Sequence, residues 1–191
     1  TTLYMILLAA YNIFLAKYSG EEDIVVGTPV ACREHSDLEQ MIGMFVNTLA
    51  LRNRVKMADS FKELLAMVKD NSLQAFQNQN YQFEMLVNDL GLERDQSRNP
   101  LFDTMFSLQK DFNSKFEIEG LSLQPLELEN KSSKFDLTLD GYQTEDGLYF
   151  TFEYSTHLFK KETMERMAEH FLNILNGIAT RPGQPLAELE I

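Results

Sequence analysis

The sequence contains no tryptophan and a single cysteine, Cys32, so no disulfide can form within the chain. One unpaired cysteine is typical of proteins from a reducing compartment. Cations are also scarce: the chain has 17 Lys and Arg residues against 29 Asp and Glu residues, and its formal net charge is −12. Nucleic acids and anionic membranes bind basic surfaces, so this charge argues against both as partners.

No apolar run is long enough to span a membrane. The start of the chain is apolar from Leu3 to Leu15 but includes two tyrosines and Asn12. A span requires roughly 20 residues, so we predict a buried helix here, capped by Thr2. No basic segment or small-residue cleavage site indicates a signal peptide. We therefore expect a cytoplasmic protein.

Self-contained catalytic motifs are missing. There is no G-x-S-x-G, no G-x-x-x-x-G-K-[ST] and no G-x-G-x-x-G. His35, His157 and His170 are not paired with one another or with cysteine at metal-ligand spacing, so we predict no metal site and interpret each as a surface or capping histidine. Cys32 is interpreted as a partly buried small residue rather than a nucleophile. The residues alone therefore assign no catalytic group.

Hydrophobic periodicity predicts alternating helices and strands. Ser60 with Glu63 has the pattern of a capping box, and Gly27 and Pro29 predict a bulge or an edge near a ligand in the first strand. The other predicted elements are strands at 24–31, 46–55 and 101–108, a hairpin at 135–142 and 148–154, and helices at 83–90 and 160–179, followed by a turn-rich tail. This order predicts one α/β, or α+β two-layer, domain over residues 1–191, with a mixed sheet covered by helices.

Three segments carry a resemblance to a known family. Residues 42–52 (IGMFVNTLALR), 78–84 (NQNYQFE) and 94–101 (RDQSRNPL) resemble the fifth, sixth and seventh core motifs of the condensation domains of nonribosomal peptide synthetases, in the same order and at the same spacing. Other matching segments extend the resemblance over essentially the whole chain. Asn80 and Gln82 stand where the family usually has Asp and Pro, and Cys32 stands where Gly is common.

The resemblance implies a chloramphenicol-acetyltransferase-like fold. Condensation domains consist of two pseudo-symmetric halves of this fold, and their N-terminal half carries an H-H-x-x-x-D-G motif. This sequence has no His-His pair. We therefore expect the chain to correspond to the C-terminal half, with the His-His motif in an N-terminal half that it lacks, and we expect the chain alone to be inactive.

The resemblance also implies a function, the joining of two carrier-bound thioesters by an amide bond in a tunnel between the halves. Asn47 is expected to face the reaction centre, and Thr28 and Pro29 to line the tunnel. The alternative for Asn47 is a hydrogen bond to the backbone of a neighbouring strand. The residues expected to maintain the motifs structurally are Arg52, Phe83, Glu84, Arg94, Asp95, Arg98 and Asn99.

The implied substrates are carried on phosphopantetheine arms, with no cofactor bound by this chain. The implied partners are the N-terminal half, peptidyl carrier proteins and a neighbouring adenylation domain. Two alternatives stay open: an epimerization domain, which the intact Phe45-Val46-Asn47-Thr48 disfavours, and a non-catalytic module that docks carrier proteins. The stretch Asp111 to Ser133 has weak periodicity and is expected to cross over to the other half.

Overall fold

A five-stranded mixed sheet forms one layer of the protein. The computed structural model describes residues 1–33, 35–92, 98–110 and 132–191. The strands are β1 (Asp23–Val30), β2 (Asn47–Arg54), β3 (Thr104–Lys110), β4 (Leu137–Gln143) and β5 (Leu148–Tyr154), in the spatial order β2-β1-β3-β4-β5. Antiparallel pairs form at both ends, β1 with β2 and β4 with β5, while β3 runs parallel to β1 and β4.

Helices form the second layer. They are α1 (Leu3–Ser19), α2 (Ser36–Glu39), α3 (Phe61–Gln77), α4 (Phe83–Asp89) and α5 (Lys161–Thr180), and a short 3₁₀ helix follows at Leu186–Glu188. The central helix is α1, which contacts α3, α5 and the sheet. This arrangement confirms the predicted two-layer mixed α/β class. No helix within the described ranges is both long enough and apolar enough to cross a membrane.

The central position of α1 explains why this helix is apolar on nearly every side. Leu8, Tyr11 and Phe14 are fully buried. The Thr104 hydroxyl donates to the Leu137 carbonyl at 2.9 Å, so the Tyr11 hydroxyl, 2.5 Å from Thr104 Oγ1, is the donor of that pair. Burial raises the pKa of Tyr11, and the neutral phenol is therefore kept as a donor at every physiological pH. This bond fixes α1 against the centre of the sheet.

The predicted helix caps are confirmed. Thr2 Oγ1 accepts a hydrogen bond from the Met5 amide at 3.3 Å. Ser60 and Glu63 form the capping box: the Ser60 amide donates to Glu63 Oε2 at 2.8 Å, and the Glu63 amide donates to Ser60 Oγ at 3.4 Å. The Ser60 amide and hydroxyl together hold the pKa of the Glu63 carboxyl below its usual value. The stabilisation they give is therefore present above the ordinary carboxyl pKa and is lost as the pH falls through the lowered pKa.

The sheet edge predicted at Gly27 and Pro29 is wrong, and the predicted bulge is absent from the pairing of β1 with β2. β1 lies inside the sheet and pairs with β2 without insertion, from Asp23 opposite Arg54 to Val30 opposite Asn47. Pairing of β1 with β3 is centred on Gly27 and Met105. Pro29 lies two residues beyond that point, opposite Thr48 of β2, so the proline stands in an interior strand.

The turn-rich tail is more ordered than the sequence pattern indicates. The Leu186 amide donates to the Asp59 carbonyl and the Ala187 amide to the Met57 carbonyl, both at 2.9 Å. Leu186 and Leu189 are buried in the main core. Residues after α5 therefore complete the core beside the start of α3.

Candidate functional site

A cavity of about 580 Å³ lies between the start of β2 and the turn before α4. One wall comes from the segment that precedes and begins β2, and the other from the turn at 79–84. The lining residues are Cys32, Met44, Phe45, Val46, Asn47, Thr48, Gln79, Asn80, Gln82, Phe83 and Glu84. The fold thus brings the first two motif segments, which are distant in sequence, to one site.

The side chain of Asn47 joins the two walls. Its Nδ2 donates to the carbonyls of Gln79 and Tyr81 at 2.8 and 2.9 Å. Its Oδ1 accepts from the amide of Phe83 at 3.2 Å. A carboxamide has two N–H donors and one carbonyl oxygen, so both donors and one acceptor position are used by this turn. Asn47 therefore fixes the chain entry into α4 against β2.

This geometry bears on the two interpretations of Asn47. The interpretation as a backbone-binding residue gains direct support, although the backbone belongs to a turn rather than to a strand. The acceptor oxygen keeps a second lone pair that a substrate or water can use. Contact between Asn47 and substrate stays a prediction.

Cys32 adds a second contact to the same turn. Its thiol donates to the Gln79 carbonyl at 3.3 Å, so this carbonyl accepts from both Cys32 and Asn47. The backbone of Cys32 has φ of 45°, in the left-handed region that glycine adopts without strain. This backbone conformation explains why glycine suits position 32.

We expect Cys32→Gly to be more stable than Cys32→Ala by about 1 kcal/mol, because only alanine retains the strained backbone while both lose the thiol. Urea unfolding followed by circular dichroism measures the difference. Relative to the parent chain, the glycine variant is expected to change stability by no more than about 1 kcal/mol. An alanine variant as stable as the glycine variant would show that the positive φ carries no cost.

An aromatic group connects the site to Phe102, the residue that directly follows the third motif segment. The rings of Phe83 and Phe102 have centroids 5.5 Å apart, and those of Phe102 and Phe135 are 5.7 Å apart. Phe102 also occupies the space beside Gly27: a Cβ added at Gly27 would lie 2.2 Å from Phe102 Cε2. Glycine at this point of β1 therefore allows the ring to lie on the sheet.

Thr28 and Pro29 are not among the described residues that line the cavity around Asn47, although Pro29 lies opposite Thr48, which does. The Thr28 hydroxyl donates to the Phe106 carbonyl at 2.9 Å, and this side chain is only 2% exposed. Burial raises the pKa of the nearby Tyr4 to about 12, with a partial offset from Thr28. The predicted tunnel-lining role of Thr28 and Pro29 stays a prediction.

The remaining predicted motif residues have different environments. Arg52 forms a two-pronged ion pair with Asp23 across β1 and β2, with its Nη2 2.6 Å from Asp23 Oδ2. Arg98 pairs with Asp103 at the entry to β3. Glu84 is exposed and lines the cavity, and Asn99 is half-buried in the loop before β3. Arg94 and Asp95, and all of the proposed crossover segment except Ser132 and Ser133, lie outside the described residues.

Arg33 is the residue that the motif comparison missed. Its guanidinium donates to the carbonyls of Leu38, Met41 and Gly43, and its Cζ lies 4.3 Å from the centroid of the Phe45 ring. A planar guanidinium with five donors can bind these three carbonyls and lie over the Phe45 ring at the same time. The available signal was a lone cation between β1 and the apolar segment at 41–46.

The histidines have no catalytic arrangement in the described parts of the chain. His35 caps α2 by accepting from the Asp37 amide at 3.3 Å, which confirms a capping role. His170 Nδ1 lies 2.8 Å from the Tyr18 hydroxyl on the helical surface. Among the residues that the structure describes, no group of three His, Cys, Asp or Glu side chains is placed to hold a metal ion.

Comparison with known proteins gives consistent matches over the whole length. A family model described as "Condensation domain" matches residues 1–191. Gramicidin S synthase 2 of Brevibacillus brevis is 53% identical over 191 residues, which are 100% of this chain and 4% of that protein. The chain therefore spans a small part of its curated relative.

Solved structures share the fold. Holo-AB3403, a four-domain nonribosomal peptide synthetase bound to AMP and glycine, has a TM-score of 0.89 at 24% identity, covering 98% of this chain and 15% of that one. The X-domain from teicoplanin biosynthesis, solved in complex with OxyB, has a TM-score of 0.87 at 25% identity, covering 100% of this chain and 42% of that one.

Proposed function

Because this chain belongs to the condensation domain family of nonribosomal peptide synthetases, we propose that it forms one half of a centre that joins two carrier-bound thioesters by an amide bond. The observation that carries the proposal is the 53% identity to gramicidin S synthase 2 along all 191 residues. In this proposal the cavity beside Asn47 belongs to one wall of the substrate tunnel.

The proposed reaction is an acyl transfer. The amine of the acceptor aminoacyl group attacks the carbonyl carbon of the donor thioester, so a C–N bond forms as the C–S bond breaks. The donor arm leaves as a thiol, and the amine loses a proton. Holding both tethered reactants in position converts a bimolecular step into an effectively unimolecular one.

No histidine is among the described residues that line the cavity, and its one carboxylate, Glu84, is exposed. We assign the removal of the amine proton to a His-His motif in an N-terminal half that packs against this one. The substrates arrive on the phosphopantetheine arms of peptidyl carrier proteins, beside an adenylation domain, in the cytoplasm. The contribution of this chain is to hold one wall of the tunnel in place: Asn47 and Cys32 fix the turn at 79–84, which forms that wall.

The test compares this chain with a domain extended upstream to include the His-His half, each supplied with two loaded carrier proteins. Mass spectrometry of the released product measures amide formation. We expect product from the extended domain, a loss of at least about 100-fold when the second His of the pair is replaced by alanine, and none from the chain alone. Turnover by the chain alone would contradict the assignment of the base to the other half.

A second candidate is a non-catalytic docking module. The observation that favours it is the similarity to an X-domain that was solved in complex with OxyB. An extended domain that binds loaded carriers but yields no amide product with any tested pair would support this candidate over amide formation.

A further inference from the structure

The connection between β1 and β2 carries one wall of the cavity. β1 ends at Val30, and β2 begins at Asn47, which is the pairing partner of Val30, so the chain leaves the sheet and returns to the same point. Apart from the short helix α2, this connection is irregular, and residues 41–46 form neither helix nor strand. Its cavity-lining residues include Met44, Phe45 and Val46. The position of this wall therefore depends on contacts other than a regular hydrogen-bond ladder.

Arg33 supplies such contacts from within the connection. The guanidinium donates to the carbonyls of Leu38, Met41 and Gly43, the last two at 2.9 and 3.2 Å. Its Cζ lies 4.3 Å from the centroid of the Phe45 ring. Hydrogen bonds from a charged donor are stronger than those between neutral groups, and a cation over an aromatic face adds electrostatic attraction. Arg33 thus holds both the backbone and one aromatic side chain of the wall.

The residue before Arg33 contacts the opposite wall. The Cys32 thiol donates to the Gln79 carbonyl at 3.3 Å, and Gln79 lies in the turn at 79–84. Two consecutive residues therefore bind the two sides of the cavity. Release of Arg33 from residues 41–46 changes the spacing between the walls at the point where they are joined.

We infer that Arg33 is a positioning residue for amide formation: it fixes residues 44–46 and thereby sets which aminoacyl side chains the cavity accepts. This inference rests on the proposed function, which makes the cavity part of the substrate tunnel. Arg33 is not among the described residues that line the cavity, so it acts through Phe45 and its neighbours rather than on the substrate. A wall at a fixed position discriminates by size, because one methylene group in an apolar pocket changes a rate by about tenfold or more.

The test introduces Arg33→Met into the domain that is extended to include the His-His half. Methionine keeps an unbranched apolar side chain and removes all five N–H donors. Carriers loaded with aminoacyl groups from glycyl to phenylalanyl compete as acceptors and, in a second series, as donors, and mass spectrometry measures the products. In one of the two series, the ratio of the best-used to the worst-used group is expected to shrink by at least about fivefold. A purely structural role leaves this ratio unchanged, because competing substrates meet the same folded fraction.

Two further variants accompany this measurement. Arg33→Lys keeps the positive charge and three N–H donors, so it is expected to recover part of the discrimination of the parent domain. The matched control is Arg54→Met, which removes a 70% exposed side chain on β2 that lies 3.9 Å from Glu22. Its competition ratios are expected to stay within about twofold of the parent values.

Limited proteolysis of the chain itself checks that Arg33 acts through the wall. Chymotrypsin cleaves after aromatic residues in locally opened segments, and mass spectrometry locates each cut. Cleavage after Phe45 is expected to be at least about tenfold faster in Arg33→Met than in the parent chain or in Arg54→Met. Cleavage at other sites is expected to stay within about twofold, since the opening is local rather than global.

The outcomes separate this inference from the proposed function. An active parent domain whose competition ratios are unchanged by Arg33→Met would overturn the role of Arg33 and leave amide formation standing. Equal rates of cleavage after Phe45 in the parent chain and in Arg33→Met would overturn it as well, because the wall would not depend on the guanidinium. A parent domain that forms no amide from any loaded pair would contradict the proposed function, and the positioning role would fail with it.

Discussion

Gly27→Ala is expected to destabilise the protein by about 3 kcal/mol, because the added methyl group meets three atoms of the Phe102 ring at 2.2 to 2.7 Å. The ring has little freedom to move, since it contacts Phe83 and Phe135 and is only 5% exposed. Urea unfolding followed by circular dichroism measures the loss. The matched control is Gly183→Ala, where no atom lies within 4 Å of the new Cβ, and a change within about 0.5 kcal/mol is expected.

A double-mutant cycle isolates the clash from any general intolerance of β1. Phe102→Ala alone is expected to cost about 3–5 kcal/mol through the cavity that it leaves. The variant with both substitutions gives the Gly27 methyl group room, so it should be more stable than the sum of the single effects by at least about 1 kcal/mol. Strict additivity would show that Gly27 is needed for a reason other than contact with Phe102.

Asn47→Ala is expected to lower stability by about 2–3 kcal/mol and, in a domain that contains both halves, to reduce amide formation by at least about tenfold. The substitution removes three hydrogen bonds to the backbone of Gln79, Tyr81 and Phe83 in one step, and leaves the Gln79 carbonyl with its bond from the Cys32 thiol. Without these bonds to β2, the turn at 79–84 no longer keeps its side of the cavity in place. Urea unfolding measures the first effect and product formation the second.

Two further variants sharpen this experiment. Asn47→Asp keeps the acceptor for the Phe83 amide but places a carboxylate oxygen against two carbonyls, so it should be no more stable than Asn47→Ala. Asn173→Ala, at an exposed position of α5, is the matched control and should change stability by less than about 0.5 kcal/mol. Loss of product at full stability would assign Asn47 to the substrate, whereas parallel losses assign it to the turn.

Helices and strands with strong local signals could be predicted from sequence. The capping box at Ser60 and Glu63 and the amphipathic pattern of α5 depend on residues three or four positions apart, and the structure confirms both elements. The position of β1 was predicted correctly, but its place in the interior of the sheet was not. Whether a strand lies at an edge depends on which partners join it, and that information lies in β2 and β3.

The site was only partly predictable for the same reason. The resemblance selected Asn47 and the 78–84 segment, yet it did not indicate that one holds the other through three hydrogen bonds. The role of Arg33 was not predicted because its partners are backbone carbonyls, which every residue type has. Phe102 and Gly27 are 75 positions apart, so their contact has no local pattern.

The final residues of the chain have a practical consequence for anyone who recombines synthetase units. Leu186 and Leu189 fill space beside α3, and the Leu186 and Ala187 amides bind carbonyls just before that helix. A fusion point placed between Thr180 and Leu186 would replace these two leucines with residues of another protein. The cavity left in the core of this domain would cost several kcal/mol of stability, roughly as measured for buried leucines. Chimeric enzymes should therefore be joined beyond Leu189, so that residues 181–189 stay with the core that they complete.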